Sequence, residues 1–177
     1  MKKAVFLDRD GVINRTIFRN GKARAPYTMT EFALFDGVQQ SIVELHNSGF
    51  LCIIVTNQPD VTRGWVSLES VEMINHKVRE LLQIDDIKIC LHTEKENCIC
   101  RKPKPGMLIE ASHDWGIDLS ASFMVGDRFS DVAAGVTAGC KTILVGPGDE
   151  QGNFPSPDHR ASSLLEAVPW ILGKSDG

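Results

Sequence analysis

Two aspartates near the amino terminus have the type and spacing that phosphoryl-group chemistry requires. Asp8 and Asp10 are separated by one residue and directly follow the apolar residues 4–7. Side chains alternate along an extended backbone, so both carboxylates are expected on the same side of the chain. One carboxylate can then act as a nucleophile, while the other transfers protons.

A third acidic residue is expected close to this pair. Asp127 follows the apolar run 123–125, and the carboxyl ends of parallel strands meet at one edge of a sheet. A single aspartate after a strand is usually a turn cap. Three carboxylates drawn from two distant segments, however, repel one another unless a cation lies between them. Oxygen ligands of this kind favour Mg²⁺, so we expect a magnesium site that involves Asp8, Asp10 and Asp127.

Hydroxyl and cationic side chains that can hold a phosphoryl group are expected at the same edge. Thr56 follows the apolar run 51–55 and can donate its hydroxyl to a phosphoryl oxygen. The segment 100–106 brings Arg101 and Lys102 to the start of a predicted helix, where the helix dipole also favours anions. Carboxylates, a hydroxyl and cations together are the groups that phosphoryl transfer uses.

A cluster of cysteines and one histidine precedes these cations. Cys90, His92, Cys98 and Cys100 supply three thiolates and one imidazole, a set suited to tetrahedral Zn²⁺. Four protein ligands leave no open coordination position, so such a zinc would be structural. It would fix the loop that leads into Arg101. The alternative is a loop with unpaired cysteines and a histidine that is there by chance.

The hydrophobic pattern predicts the elements that position these groups. Short apolar runs without alternation indicate strands that are covered on both faces, and helical patterns lie between them. Such a succession predicts an α/β fold with a doubly wound parallel sheet. No repeat or linker divides the chain, so we expect a single domain over residues 1–177. The predicted strands are 4–7, 51–55, 87–91, 123–125 and 142–145, and the predicted helices are 37–47, 67–82, 105–115, 131–138 and 162–172.

Composition excludes several classes of function. The chain has 177 residues and a net charge of −4, which provides no diffuse positive field for nucleic acid. Its longest apolar run is the six residues 50–55, whereas a membrane helix needs ~20. The apolar stretch before Asp8 is too short for a signal peptide, so we expect a cytoplasmic protein. No long exposed apolar helix suggests assembly, so we expect a monomer by default. Cys52 and Cys140 lie in or next to apolar runs and are expected to be buried thiols.

With these residues in this order, the chain resembles the haloacid dehalogenase (HAD) superfamily of aspartate-dependent phosphatases. All four motifs of that superfamily are present, and they fall at the predicted ends of strands. A single Asp-x-Asp occurs by chance in many chains, but four motifs in order are specific. The motifs are Asp8-Arg9-Asp10-Gly11, Thr56-Asn57-Gln58, Lys102 within Arg101-Lys102-Pro103, and Gly126-Asp127 followed by Asp131.

The resemblance implies a phosphoaspartyl mechanism. Asp8 would be the nucleophile, and Asp10 would protonate the leaving oxygen and later deprotonate the attacking water. Thr56 and Lys102 would hold the transferred phosphoryl group. The resemblance also implies that Mg²⁺ is bound by the Asp8 carboxylate, the Asp10 backbone carbonyl and Asp127. Asp131 would orient water at the ion.

The cysteine loop is similar to that of two groups within the superfamily, the heptose bisphosphate phosphatases and the histidinol-phosphate phosphatases. This similarity implies a small phosphorylated sugar as substrate, hydrolysed at the C7 phosphate of a heptose 1,7-bisphosphate, with histidinol phosphate or another small metabolite as the alternative. Arg101 would contact the second phosphate, and Asn57, Arg63 and Arg128 would complete the substrate site. Arg63 has the alternative role of capping a turn, and Arg128 that of pairing with a nearby acid.

Larger members of the superfamily insert a cap domain over the crevice, and neither usual insertion point in this chain has room for one, so the resemblance implies no large cap domain. The substrate would then be recognised by loops around the crevice. These are the charged segment 14–31, the turn 59–64 and the cysteine loop, although 14–31 has the alternative of a solvated connection.

Two functions of other classes remain open on the sequence alone. A receiver-like signalling domain also combines acids, a threonine and a lysine around Mg²⁺, but it has no need of a second acid two residues after the first. A zinc-bearing adaptor for nucleic acid or protein is disfavoured by the negative charge.

Overall fold

The computed structural model describes residues 1–149 and 152–175 and contains eight strands and six helices within them. In chain order the strands are β1 (Lys3–Leu7), β2 (Ile17–Arg19), β3 (Lys22–Arg24), β4 (Phe50–Asn57), β5 (Asp86–Cys90), β6 (Phe123–Gly126), β7 (Lys141–Val145) and β8 (His159–Ala161). The helices are α1 (Val38–Asn47), α2 (Pro59–Thr62), α3 (Leu68–Leu81), α4 (Gly106–Trp115), α5 (Phe129–Ala138) and α6 (Leu164–Ser175).

Six of the strands form one parallel sheet in the order β5-β4-β1-β6-β7-β8. The chain builds outward from β1 in one direction through β4 and β5, and then returns to the other side of β1 with β6. The order of strands therefore reverses next to β1, and ligands of such sheets bind at this point, beyond the carboxyl ends of the strands. The predicted α/β fold with a doubly wound parallel sheet is confirmed.

Apolar side chains on both faces of the sheet explain why the strands read as continuous runs. In β1, Val5 and Leu7 pack into one layer, whereas Ala4 and Phe6 pack into the other, and all four side chains are fully buried. Helices α1 and α6 cover the first layer, and α4 and α5 cover the second. Burial on two faces keeps the carboxyl ends of β1, β4 and β6 in fixed positions.

The segment 14–31 contains structure that the hydrophobic pattern did not predict. Strands β2 and β3 pair antiparallel, and Asn20 and Gly21 form the turn with φ values of 50° and 74°. Positive φ at two successive turn residues suits Asn-Gly, which is a recognised hairpin signal. The hairpin is a small addition to the core, and among the described residues no cap domain is present. No helix in residues 1–149 or 152–175 has the length and apolar character that crossing a membrane requires.

Candidate active site

Three carboxylates meet where β1 and β6 end side by side. The backbone N–H of Asp8 donates to the Val125 carbonyl at 2.9 Å, which places Asp8 next to the end of β6. Asp131 lies in the first turn of α5, and its Oδ2 accepts the backbone N–H of Arg128 at 3.0 Å. One carboxylate oxygen from each of Asp8, Asp127 and Asp131 lies within 4.8 Å of the others.

Two glycines make this close approach possible. A Cβ atom at Gly11 would collide with the carboxylate of Asp127, and one at Gly126 would collide with the side chain of Asp131. Gly11 also has a φ of 98°, a backbone conformation that side chains other than hydrogen disfavour. The acids therefore pack directly against the backbone of the loops that present them.

Lys102 inserts its ammonium group among these acids. Its Nζ lies 2.9 Å from Asp8 Oδ1 and 2.6 Å from Asp131 Oδ1, and it donates to the Val55 carbonyl at 2.8 Å. The residue is 3% exposed. Burial disfavours the charged amine, but the two carboxylates outweigh burial and raise the pKa of Lys102 above its ordinary value. The lysine is therefore a permanent cation at the floor of the site.

One lysine does not balance three acids. Burial raises the pKa of Asp8 to about 6 despite the attraction of Lys102. Burial, followed by the charges of Asp8 and Asp131, raises the pKa of Asp127 to about 8. Asp127 Oδ1 is buried without a hydrogen-bond partner in the described structure. A cluster of carboxylate oxygens with surplus negative charge and an unpartnered oxygen fits a hard divalent cation such as Mg²⁺.

The side chain of Asp10 is held apart from this cluster by a separate set of donors. Its Oδ1 accepts from Asn14 Nδ2 at 2.9 Å, and its Oδ2 accepts from Gln58 Nε2 at 2.6 Å. The buried guanidinium of Arg9 also donates to Asp10, at 3.1–3.2 Å, and to Asn75 Oδ1 at 2.7 Å. Sequence reasoning did not assign roles to Arg9 or Asn14, and only their places in and beside the first motif could have indicated them.

The second motif supplies two different kinds of contact. Thr56 Oγ accepts from Gln58 Nε2 at 2.9 Å and so keeps its own proton for a further acceptor. Asn57, predicted to bind substrate, is placed against the backbone of Lys102. Its Nδ2 donates to the Lys102 carbonyl at 3.1 Å, and its Oδ1 accepts the Lys102 N–H at 3.2 Å.

The structure brings two of the three predicted substrate arginines together. Arg63 and Arg101 come together, because both donate to the carboxylate of Glu94. Arg128 lies elsewhere and donates to the Ala23 carbonyl of the β2–β3 hairpin at 3.4 Å. Glu94 was not predicted, since it lies in a polar loop without a recognisable motif.

The β2–β3 hairpin and the residues after it pack against the turn that follows the second motif. Asp60, which is 5% exposed, accepts from Tyr27 Oη at 2.6 Å, Arg24 at 3.1 Å and Arg63 at 2.9 Å. Burial, with the hydrogen bond to Asp60, raises the pKa of Tyr27 to about 12. The guanidinium groups of Arg24 and Arg63 lie 4.7 and 5.3 Å from the centroid of the Trp65 ring. The segment 14–31 therefore forms one wall beside the site.

The predicted zinc ligands are close together in space. The sulfur atoms of Cys90, Cys98 and Cys100 are 3.1–3.7 Å apart, and His92 Nδ1 lies 3.5 Å from Cys90 Sγ and 3.3 Å from Cys100 Sγ. Zinc–sulfur bonds of about 2.3 Å give a tetrahedron with edges of about 3.8 Å, close to these separations. Although burial opposes it, the backbone N–H of Arg101 lowers the pKa of Cys98 to about 7. Cys52 and Cys140 are buried elsewhere, as expected.

A doubly wound sheet with acids and a lysine at the reversal of strand order is the architecture that the resemblance to HAD-type hydrolases implies. Residues 99–167 match a family model described as HAD-hydrolase-like. A D-glycero-beta-D-manno-heptose-1,7-bisphosphate 7-phosphatase of Helicobacter pylori strain J99 is 33% identical, with 96% of this chain and 97% of that protein covered. A D-glycero-D-manno-heptose-1,7-bisphosphate 7-phosphatase of Chlorobaculum tepidum is 37% identical, with 97% and 96% covered.

Solved structures agree with these relatives. The crystal structure of D,D-heptose 1,7-bisphosphate phosphatase from B. bronchiseptica, complexed with magnesium and phosphate, aligns with a TM-score of 0.84 and 29% identity over 97% of this chain and 99% of that one. The chain therefore belongs to the HAD-like hydrolases, in the family of the D-glycero-D-manno-heptose 1,7-bisphosphate 7-phosphatases. The resemblance seen in the sequence motifs is confirmed.

Proposed function

We propose that this protein is a Mg²⁺-dependent phosphatase that removes the C7 phosphate of D-glycero-D-manno-heptose 1,7-bisphosphate. The observation that carries the proposal is the contact of Lys102 with Asp8 and Asp131 beside the unpartnered oxygen of Asp127. This arrangement has one fixed cation, a carboxylate nucleophile and a site for a second cation. The names of the relatives supply the substrate class.

Asp8 attacks phosphorus through one of its two oxygens. Among the described residues, its bonds from the Arg9 N–H and Lys102 Nζ both end on Oδ1, so Oδ2 is available to the substrate. The attack forms a phosphoaspartate and expels the C7 oxygen of the sugar. Lys102 and the Thr56 hydroxyl hold the phosphoryl oxygens during this transfer.

Asp10 moves the protons. The amides of Gln58 and Asn14 and the guanidinium of Arg9 orient its carboxyl group. From this position it donates a proton to the leaving oxygen and then accepts one from the water that hydrolyses the phosphoaspartate. Asn57 contributes indirectly, because it fixes the backbone of Lys102.

The carboxylates of Asp8 and Asp127 fit a magnesium ion, and the backbone carbonyl of Asp10 would be the third ligand that the family resemblance implies. When bound, the ion would offset the repulsion between the nucleophile and the phosphate. Both oxygens of Asp131 already have partners, Lys102 Nζ on Oδ1 and the Arg128 N–H on Oδ2. Asp131 therefore positions Lys102 and the start of α5.

The cysteine cluster supports a structural zinc bound by Cys90, His92, Cys98 and Cys100. Zinc there would hold the loop that presents Arg101, and with it Arg63, to the phosphate that is not cleaved. Guanidinium groups match the oxygens of phosphate in pairs, which suits recognition of a doubly phosphorylated sugar. Arg128 lies at the hairpin wall, where it would contact the sugar.

A comparison of two substrates tests this proposal. Purified protein with Mg²⁺ is assayed for phosphate release from the heptose 1,7-bisphosphate and from histidinol phosphate. We expect a kcat/KM for the bisphosphate that is larger by at least about tenfold. Faster turnover of histidinol phosphate would transfer the assignment to that substrate. A stable phosphoprotein that releases no phosphate would indicate a receiver-like domain instead.

We also propose that the protein acts as a monomer in the cytoplasm. All five cysteines are free thiols in the structure, which suits a reducing compartment. Light scattering on a size-exclusion column measures the mass directly, and 19.5 kDa is expected. A mass of twice that value would contradict the monomer.

A further inference from the structure

The carboxylate of Glu94 joins the two arginines that the proposed function assigns to the second phosphate. Arg63 donates to Glu94 Oε2 at 2.9 Å and to Oε1 at 3.2 Å. Arg101 donates to Glu94 Oε1 at 2.5 Å. One oxygen is thus shared between two guanidinium groups. A phosphate group would use the same donors in a similar arrangement.

Each arginine has a further anchor that does not depend on Glu94. Arg63 also donates to the buried carboxylate of Asp60 at 2.9 Å, and Arg101 donates to the His92 carbonyl at 3.2 Å. The side chains of Arg63 and Arg101 are 25% and 19% exposed. Both guanidinium groups can therefore stay in place when Glu94 moves away.

Glu94 is the most exposed of these three charged residues. Its side chain is 62% exposed, so it can rotate into solvent by breaking its ion pairs with the two arginines, without displacing a buried group. The 3₁₀ turn that carries it, Glu94–Glu96, is fixed by other groups, because the Thr93 N–H and hydroxyl both donate to Glu96 Oε2, at 2.6 and 3.0 Å. Movement of the Glu94 side chain leaves the backbone of the turn intact.

We propose that Glu94 is a specificity-determining residue whose carboxylate occupies the anion position between Arg63 and Arg101 until the second phosphate of the substrate displaces it. This inference deepens the proposed function and rests on it for the identity of the displacing group. In the free protein the carboxylate offsets one of the two positive charges of the arginine pair. A ligand must then bring an anion that binds the pair better than an exposed carboxylate does.

Glu94 would therefore favour substrates with a second phosphate, because that phosphate must compete with its carboxylate for the two arginines. A bisphosphate displaces the carboxylate with its own oxygens, whereas a monophosphate bound at Asp8 leaves it in place. Removal of the negative charge frees both arginines in advance. The affinity for a second phosphate should then rise, while the affinity for the cleaved phosphate should change little.

The variant Glu94→Gln keeps the size of the side chain and removes its charge. We expect the KM for the heptose 1,7-bisphosphate to fall about three- to tenfold, the size expected when two partly exposed ion pairs need not be broken. The KM for the same heptose with only the 7-phosphate should change less than twofold. The matched control is Glu72→Gln, which removes one exposed charge on α3 and should alter neither KM. A KM for the bisphosphate that rises or stays constant in Glu94→Gln would overturn the proposal.

A binding measurement separates this inference from the proposed function. Mannose 1-phosphate carries only the phosphate that Arg63 and Arg101 are proposed to bind, and it has no 7-phosphate. Its Kd is measured by calorimetry for the wild type and for Glu94→Gln. Glu94→Gln should bind it about three- to tenfold more tightly, and in an Arg101→Ala background the same substitution should have no effect. Equal affinities, or no detectable binding to either protein, would refute the role of Glu94. Absence of bisphosphate hydrolysis by the wild type would instead refute the proposed function. The binding result would still test whether Glu94 occupies the anion position between the two arginines.

Discussion

Replacement of Lys102 by methionine removes the cation that lies between the buried acids Asp8 and Asp131. Lys102 Nζ contacts Asp8 at 2.9 Å and Asp131 at 2.6 Å, and both acids are nearly inaccessible to water. Removal of one partner from a buried ion pair costs about 3–5 kcal/mol, because the remaining charge has no compensation. A chain of this length loses about 2–4 °C in Tm for each kcal/mol. We therefore expect Lys102→Met to lower the Tm of the metal-free protein by roughly 10 °C at pH 7.5.

The same substitution should alter catalysis in two ways. Loss of a fixed positive charge beside the transferred phosphoryl group is expected to lower kcat by about 10²- to 10³-fold. Lys102 also opposes the effect of burial on Asp8, whose pKa is raised to about 6. Without Lys102 that pKa rises further. The acidic limb of the pH–rate profile of the variant should move to higher pH, a change that loss of packing alone would not produce.

Differential scanning fluorimetry and initial rates between pH 5 and pH 9 measure these effects. Lys77→Met is the matched control, because Lys77 is 40% exposed and its one ion pair among the described residues is with the exposed Glu80, at 2.9 Å. It should shift Tm by less than about 3 °C, as expected for a surface ion pair. The reasoning is refuted if Lys102→Met retains more than a tenth of the wild-type kcat, or if its Tm matches that of Lys77→Met.

Two further predictions concern the metal sites. The pKa of Asp127 is raised from 3.8, its ordinary value in an unfolded chain, to about 8 in the folded protein. Between these two pH values the folded state binds one more proton than the unfolded state, so the free energy of unfolding falls as pH rises. The Tm of the metal-free protein should be lower at pH 8.5 than at pH 5.5, and Mg²⁺ should raise Tm more at pH 8.5; a metal-free Tm that increases with pH would contradict this assignment. Cys98→Ser should lower the zinc content measured by mass spectrometry and raise the KM for the bisphosphate roughly tenfold by releasing Arg101. Cys140→Ser should change neither quantity, and full activity of a zinc-free Cys98→Ser protein would show that the cluster does not support the substrate site.

The sheet and the location of the site were accessible from sequence because their signals are local. Continuous apolar runs identify strands that are buried on both faces, and β1, β4 and β6 all lie where such runs occur. Polar residues that directly follow these runs must reach the same edge of a parallel sheet. The grouping of Asp8 with Asp127 follows from that rule together with the strand order.

Elements held together by distant partners were not predicted. Strand β8 has only three residues at the edge of the sheet, and α2 is a single turn, so neither produces a periodic pattern. The β2–β3 hairpin is charged, and only its Asn-Gly turn gives a local signal. Asp60 meets Arg24 across 36 positions of sequence and Glu94 meets Arg63 across 31, and no local spacing indicates these two contacts.

The proposed mechanism depends most directly on Asp8 as the nucleophile that attacks phosphorus in the first step. Rapid-quench mass spectrometry of the wild-type protein with the heptose 1,7-bisphosphate and Mg²⁺ tests it. We expect a phosphoryl group on the peptide that contains Asp8, transient in the wild type and absent from Asp8→Asn, while the exposed Asp36→Asn variant behaves as the wild type. A phosphoryl group on another residue, or phosphate release by Asp8→Asn at the wild-type rate, would contradict the mechanism.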